Sequence, residues 1–245
     1  MSIWIRGRVP SSKFQVALML TTLNRLDLGY PARLREMKHP PTALYVLGEL
    51  KPEDGEGVAI VGTRKPGIAA AKLTLALSYE LADRGFTIIS GLAVGIDTQA
   101  HRGALQTRFG RTLAVLGSGL DTIHPPSNQA LAQQIRQRGA LLSEHPTGTP
   151  LSAQHLVARD RLISGLSRVV IVIETAIDGG AMHCAEFARQ QNRLLLAVPG
   201  SKGCEALIAH GAVPLDPTNL DLDYLALQIR THTPPEQPTQ LTFGL

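Results

Sequence analysis

Four turns in this sequence place glycine where a short apolar run gives way to a helical stretch. They hold Gly62, then Gly91 and Gly95, then Gly117 and Gly119, then Gly179 and Gly180. Glycine lets a backbone approach a ligand closely. A helix N-terminus beside it offers unpaired N–H groups and a partial positive charge, which together suit an anionic phosphate. Any one of these glycines is explained as well by a tight turn, but four such turns along one edge argue for a shared binding surface. Arg64 and Lys65 directly follow Gly62-Thr63. A guanidinium there can grip phosphate bidentately or stand as a solvated surface group, and both readings stay open. Arg159 and Arg161 flank Asp160 and precede Ser164-Gly165-Leu166-Ser167. Either they hold phosphate or they pair with acids such as Glu144 or Glu174. Asp97 and His101, four apart, share a helical face. The pair reads as structural rather than catalytic, with Asp97 capping backbone amides and His101 orienting a loop. His183, Cys184 and Cys204 fit no common zinc spacing and read as buried packing groups, so neither metal nor cofactor is expected.

The elements that must position these residues alternate along the chain. Strands are expected at Val58–Val61, Phe86–Ile89, Thr112–Leu116, Ala140–Leu142, Val169–Ile173 and Leu194–Val198. Helices are expected from about Ile68 to Arg84, from Gly95 to about Leu105, from Ser127 as N-cap to Arg138, after Gly180 to about Gln191, and last over Glu205–His210. Strands apolar on both faces, alternating with helices, indicate an α/β fold: an open parallel sheet with helices on both faces. Ligands of such sheets bind beyond the carboxyl ends of the strands, where the glycines fall.

Three segments are expected: a short basic helical extension over residues 1–40 with an amphipathic stretch at Phe14–Leu23, a core over 41–230, and a flexible tail over 231–245. Residues 1–40 hold seven Lys/Arg against two Asp/Glu, whereas residues 212–245 hold one against four. A basic arm beside a nearly neutral core suits a polyanionic partner, though a merely solvated surface explains it too. No apolar run reaches the roughly 18 residues of a membrane span, and no secretory signal is seen. Two cysteines are too few for a disulfide framework, and a reducing cytoplasm is the expected setting.

Taken together these residues are similar to the DprA (DNA-processing protein A) family. The resemblance runs over about residues 30–213. It is carried by Tyr30-Pro31, Pro40-Pro41 through Tyr45, Gly62-Thr63-Arg64, Ser90-Gly91-Leu92-Ala93-Val94-Gly95-Ile96-Asp97 with His101, and Gly119-Leu120-Asp121. Ser143-Glu144, Arg159 and Arg161 through Ser167, Val198-Pro199-Gly200 and Leu207-Ile208 with Gly211-Ala212 continue it. It implies an extended Rossmann-like fold, usually a homodimer, that binds single-stranded DNA with little sequence preference. It also implies a protein that protects the strand and hands it to a RecA-type recombinase during natural transformation, with no bond-breaking step. The DNA pocket that the resemblance implies falls on Gly62, Thr63, Arg64, Ser90, Gly91, Gly95, Arg159, Arg161 and the Gly179-Gly180 turn. The chain departs from the family's pattern at Asp160 (usually Asn), Leu156 (usually aromatic), His124 (usually Tyr) and Gly179-Gly180-Ala181 with Cys184, which lose hydroxyls. No winged-helix domain is expected after the core. Two rivals share the fold: an N-glycosidic nucleotide hydrolase similar to the lonely-guy phosphoribohydrolases, using Arg159 and Glu186, and a nucleotide-sensing module without catalysis. Gln240-Leu241-Thr242-Phe243 faintly resembles a sliding-clamp peptide.

Overall fold

The computed structural model describes residues 20–232. Nine strands form one sheet: β1 (Leu20–Asn24), β2 (Ala43–Gly48), β3 (Gly57–Val61), β4 (Thr87–Ser90), β5 (Arg111–Leu116), β6 (Gly139–Ser143), β7 (Val169–Val172), β8 (Leu194–Ala197) and β9 (Val213–Pro214). Their order is β1-β2-β6-β5-β4-β3-β7-β8-β9. Strands β3 to β9 pair in parallel wherever they meet. The helices are α1 (Ala32–Arg35), α2 (Ile68–Asp83), α3 (Ile96–Gln106), α4 (Gln129–Arg138), α5 (Ala153–Leu166), α6 (Ala181–Gln190), α7 (Lys202–Ala209) and α8 (Leu222–Thr231). No helix among the described residues is long and apolar enough to cross a membrane.

Alternation along each central strand builds two cores. Val58 and Ile60 of β3, with Val169 and Ile171 of β7, pack under α2, α3 and α8. Ala59 and Val61, with Val170 and Val172, point the other way and pack under α1, α5, α6 and α7. Successive strand side chains face opposite sides, so a strand covered on both must be apolar throughout. Each fully buried Ile or Val contributes about 1.5–3 kcal/mol by leaving water.

The edges differ from the sequence reading. β1 pairs antiparallel with β2, and β2 antiparallel with β6, so the sheet is mixed rather than wholly parallel. Within Phe14–Leu23, the described residues from Leu20 onward are strand, not helix, because pairing with β2 outweighs the local pattern. Residues 30–37 belong with the core: Tyr30, Leu34 and Met37 pack with Leu162, Ile163 and Leu166, and Tyr30 Oη donates to Pro41 O at 2.8 Å. α4 starts at Gln129, not Ser127. The residues before it form a 3-10 turn, and the Asn128 amide is drawn away to Leu92 O at 2.9 Å and Thr98 Oγ1 at 2.9 Å. Helices α5 and α8 were not foreseen. Ser152 caps α5 by accepting from His155 N at 3.1 Å. Asp221 caps α8 by accepting from Asp223 N and Tyr224 N at 3.0 and 2.9 Å. α8 takes in Thr231, the first residue of the expected tail. Residues 233–245, with the sliding-clamp-like segment, lie outside the described residues, as do residues 1–19.

Candidate phosphate-binding cleft

From β3 the chain steps one way across the sheet through β4, β5 and β6, then crosses to β7 and steps the other way. Loops leaving β3 and β7 therefore diverge to opposite faces, and a crevice opens at their carboxyl ends, the usual ligand position in such sheets. The crevice has a volume of about 520 Å³. Gly62, Thr63, Arg64 and Lys65 after β3 form one lip, and Gly179, Gly180 and Ala181 at the start of α6 form the opposite one. Leu156, Val157, Arg159, Asp160 and Ile163 of α5 supply a wall, with Asp97 from α3.

Arg159 holds the base of the cleft together. It is 6% exposed. Its Nη1 donates to Val115 O at 2.9 Å, and its Nε lies 3.1 Å from Asp160 Oδ1. A Cβ on Gly91 would fall 1.4 Å from Arg159 Nη1, so only glycine leaves room for the guanidinium. Burial pushes the Asp97 carboxyl up, and Arg159 pulls it back. Burial likewise pushes Asp160 up, to about 7, with Arg159 opposing and Asp97 reinforcing. Arg64 and Lys65 are exposed at the lip.

The remaining sequence-derived residues divide sharply. Ser90, Gly91 and Gly95 support the cleft without lining it. Ser90 Oγ donates to Ile60 O at 2.7 Å. Gly91 N and Ala93 N donate to Asp97 Oδ2 at 3.1 and 3.3 Å, so those amides are engaged internally. Gly95, at φ +83°, lets Ile96 N reach Thr63 O at 3.2 Å and brings the β3 loop against α3. Thr63 N donates to Glu174 O at 2.7 Å, and Gly67 N at the head of α2 donates to Glu174 Oε2 at 3.0 Å. The open amide row expected after β3 is thus largely occupied by the protein's own acceptors. Cation side chains at the lip, rather than that row, are left to meet an anion there.

Arg161 does not reach the cleft. It pairs with Glu144 and donates to His39 O at 3.2 Å. His101 orients no loop: its buried ring hydrogen-bonds Thr112 Oγ1 of β5 at 2.7 Å, and Thr112 Oγ1 donates to Ile88 O at 2.7 Å. That chain of bonds puts the His101 proton on Nδ1. Burial, then Arg159, holds the ring near pKa 3, so it stays neutral around pH 7 and carries no proton traffic. Glu186 lies exposed on α6, bonded to Gln190 at 3.0 Å, and stands outside the cleft lining that Arg159 belongs to. Cys184 does line the cleft, but burial raises its thiol far above neutrality, which suits packing. Val157, Ala153, Thr175 and Ala176 also line it and were missed. For Ala153 and Val157 the one signal was Ser152, a residue type that caps helices; Thr175 and Ala176 follow β7 and carried none.

A family model described as DNA recombination-mediator protein A matches residues 21–222. A curated relative, Protein Smf of a Synechocystis strain, is 43% identical over 196 residues, covering 76% of this chain and 49% of that one. The chain spans about half the length of the first curated relatives it matches. Among solved structures, DNA processing protein A from Streptococcus pneumoniae has TM-score 0.75 and 37% identity, covering 80% of this chain and 71% of that one. DNA processing protein A from Helicobacter pylori, described for its single-stranded DNA binding mode, has TM-score 0.77 and 30% identity, covering 87% and 97%.

Proposed function

Because the chain belongs to the DNA recombination-mediator protein A family, we propose that it binds single-stranded DNA at the cleft between β3 and β7, gripping phosphates without reading bases. The observation that carries this reading is the cationic lip of Arg64 and Lys65 above buried Arg159 at the point where the sheet changes direction. Phosphate contacts position a strand and hold no sequence information. The chain breaks no bond. As a homodimer in the cytoplasm it protects the strand and passes it to a RecA-type recombinase during DNA uptake or recombination. The Helicobacter pylori protein, whose structure is described for its single-stranded DNA binding mode, supports this reading.

A gel-shift series with one oligonucleotide at rising salt is the direct test. Single strands bind more tightly than duplex, and log affinity falls linearly with log salt. Equal affinity for duplex would sink the proposal. Arg64→Ala is expected to weaken binding by about 1–3 kcal/mol for every sequence alike and to flatten the salt slope by about one. Parent-like binding would remove Arg64 from the site.

Leu156 lies in the cleft wall where a base could stack on an aromatic ring. Leu156→Phe is expected to tighten binding by up to about 1–3 kcal/mol, the usual stacking contribution per base. Fluorescence anisotropy would read it, and an unchanged Kd means the bases lie elsewhere.

A further inference from the structure

Asp160 is an acid in a place where the proposed ligand is an anion. It lines the cleft, its side chain is 13% exposed, and its Oδ1 lies 3.1 Å from Arg159 Nε. The groups facing it come from four elements. Arg159 shares its helix, Asp97 approaches from α3, Arg64 from the loop after β3, and the Cys184 thiol from α6. Lys65 and His183 line the same cleft. Arg159 is thus shared between two carboxylates. With both ionised, the base of the cleft carries two negative charges against one positive, and only the lip cations favour a phosphate.

We infer that Asp160 couples DNA binding to proton uptake, so that a phosphodiester settles in the cleft as the Asp160 carboxyl becomes neutral. With Asp97 ionised against Arg159, protonation of Asp160 leaves the three-residue group without net charge. It also turns Asp160 from an acceptor alone into a hydroxyl that can donate to a phosphate oxygen. The proton comes from solvent and returns to it on release. A carboxyl poised near 7 is ready for this exchange at neutral pH, since a neighbouring anion pushes it further toward the neutral form. The inference rests on the single-stranded DNA reading of the cleft and adds a control on it.

Oligonucleotide affinity measured from pH 6 to 8.5 at constant ionic strength, for the parent chain and Asp160→Asn, tests it. Parent affinity is expected to fall above pH 7 toward a limit of about tenfold per pH unit, the slope of one linked proton. Asp160→Asn is expected to lack that slope and to bind at pH 8.5 at least as tightly as the parent at pH 6. Calorimetry at pH 8 in two buffers of different ionisation enthalpy is expected to show proton uptake by the parent and none by the variant. Histidine titration would give both proteins the same slope, so only the difference between them reports Asp160. Binding with equal slopes in both, or a flat parent profile, overturns the coupling while the DNA reading stands. Failure of both proteins to bind at any pH overturns both.

Discussion

Arg159→Met is expected to destabilise the chain by about 3–5 kcal/mol at pH 7.5, as breaking a buried ion pair usually does. Met keeps most of the length and apolar stem of the arginine, so the loss isolates the charge. Three partners lose their cation or donor: Val115 O, bonded at 2.9 Å, the Asp160 carboxylate at 3.1 Å, and Asp97, whose carboxyl Arg159 pulls down. Without it both acids move further above the ordinary carboxylate value. A folded-state pKa raised in this way stabilises fully only below the unfolded value, near 4, and that contribution is lost as pH rises through the folded value. The gap between parent and variant is therefore expected to narrow as pH falls from 8 to 5. Urea unfolding at the two pH values reads both effects. A loss under 1 kcal/mol at pH 7.5 would mean that the guanidinium is not the keystone of the cleft.

The second large effect falls at Gly95. Its φ of +83° already disfavours a side chain, and an added Cβ would lie 2.4 Å from Thr63 O and 2.7 Å from the Arg64 carbonyl carbon. Left-handed strain costs about 1–2 kcal/mol and forced overpacking about 1–3 kcal/mol more. Gly95→Ala is thus expected to cost about 2–5 kcal/mol, or roughly 4–20 °C in Tm for a chain of this size. Gly148→Ala supplies the control. Gly148 sits at φ +86° with nothing within 4 Å of its added Cβ. It is expected to lose only the strain component. Calorimetric melting of the two variants separates strain from collision, and equal losses would show that the Thr63–Arg64 loop yields freely. If it does not yield, Gly95→Ala also displaces Arg64 and weakens DNA binding.

The central strands were legible because burial on both faces demands unbroken apolar runs, which β3 and β7 display. β1 and β2 were not, because their identity depends on antiparallel pairing with each other and with β6, contacts that no local pattern records. α5 was hidden for another reason. Its apolar period is interrupted by Arg159-Asp160-Arg161, three charges that break a core-facing stripe although Arg159 itself is buried. Once the segment is known to be helical, the fate of the two arginines follows. Residues two apart on a helix do not share a face, so Arg159 enters the cleft while Arg161 turns to Glu144. The glycine turns were placed correctly along the sheet edge. Which backbone amides stay open was not readable, because Asp97 and Glu174 reach them from elsewhere in the chain.

At its far margin the sheet ends in β9, two residues long and half proline. Pro214 has no N–H to offer, and two residues make a poor template for any further strand. Runaway fibre growth therefore has little purchase on that side. A crowded solution of this chain should resist clumping through that border, even though the strands behind it are among the most oily in the molecule.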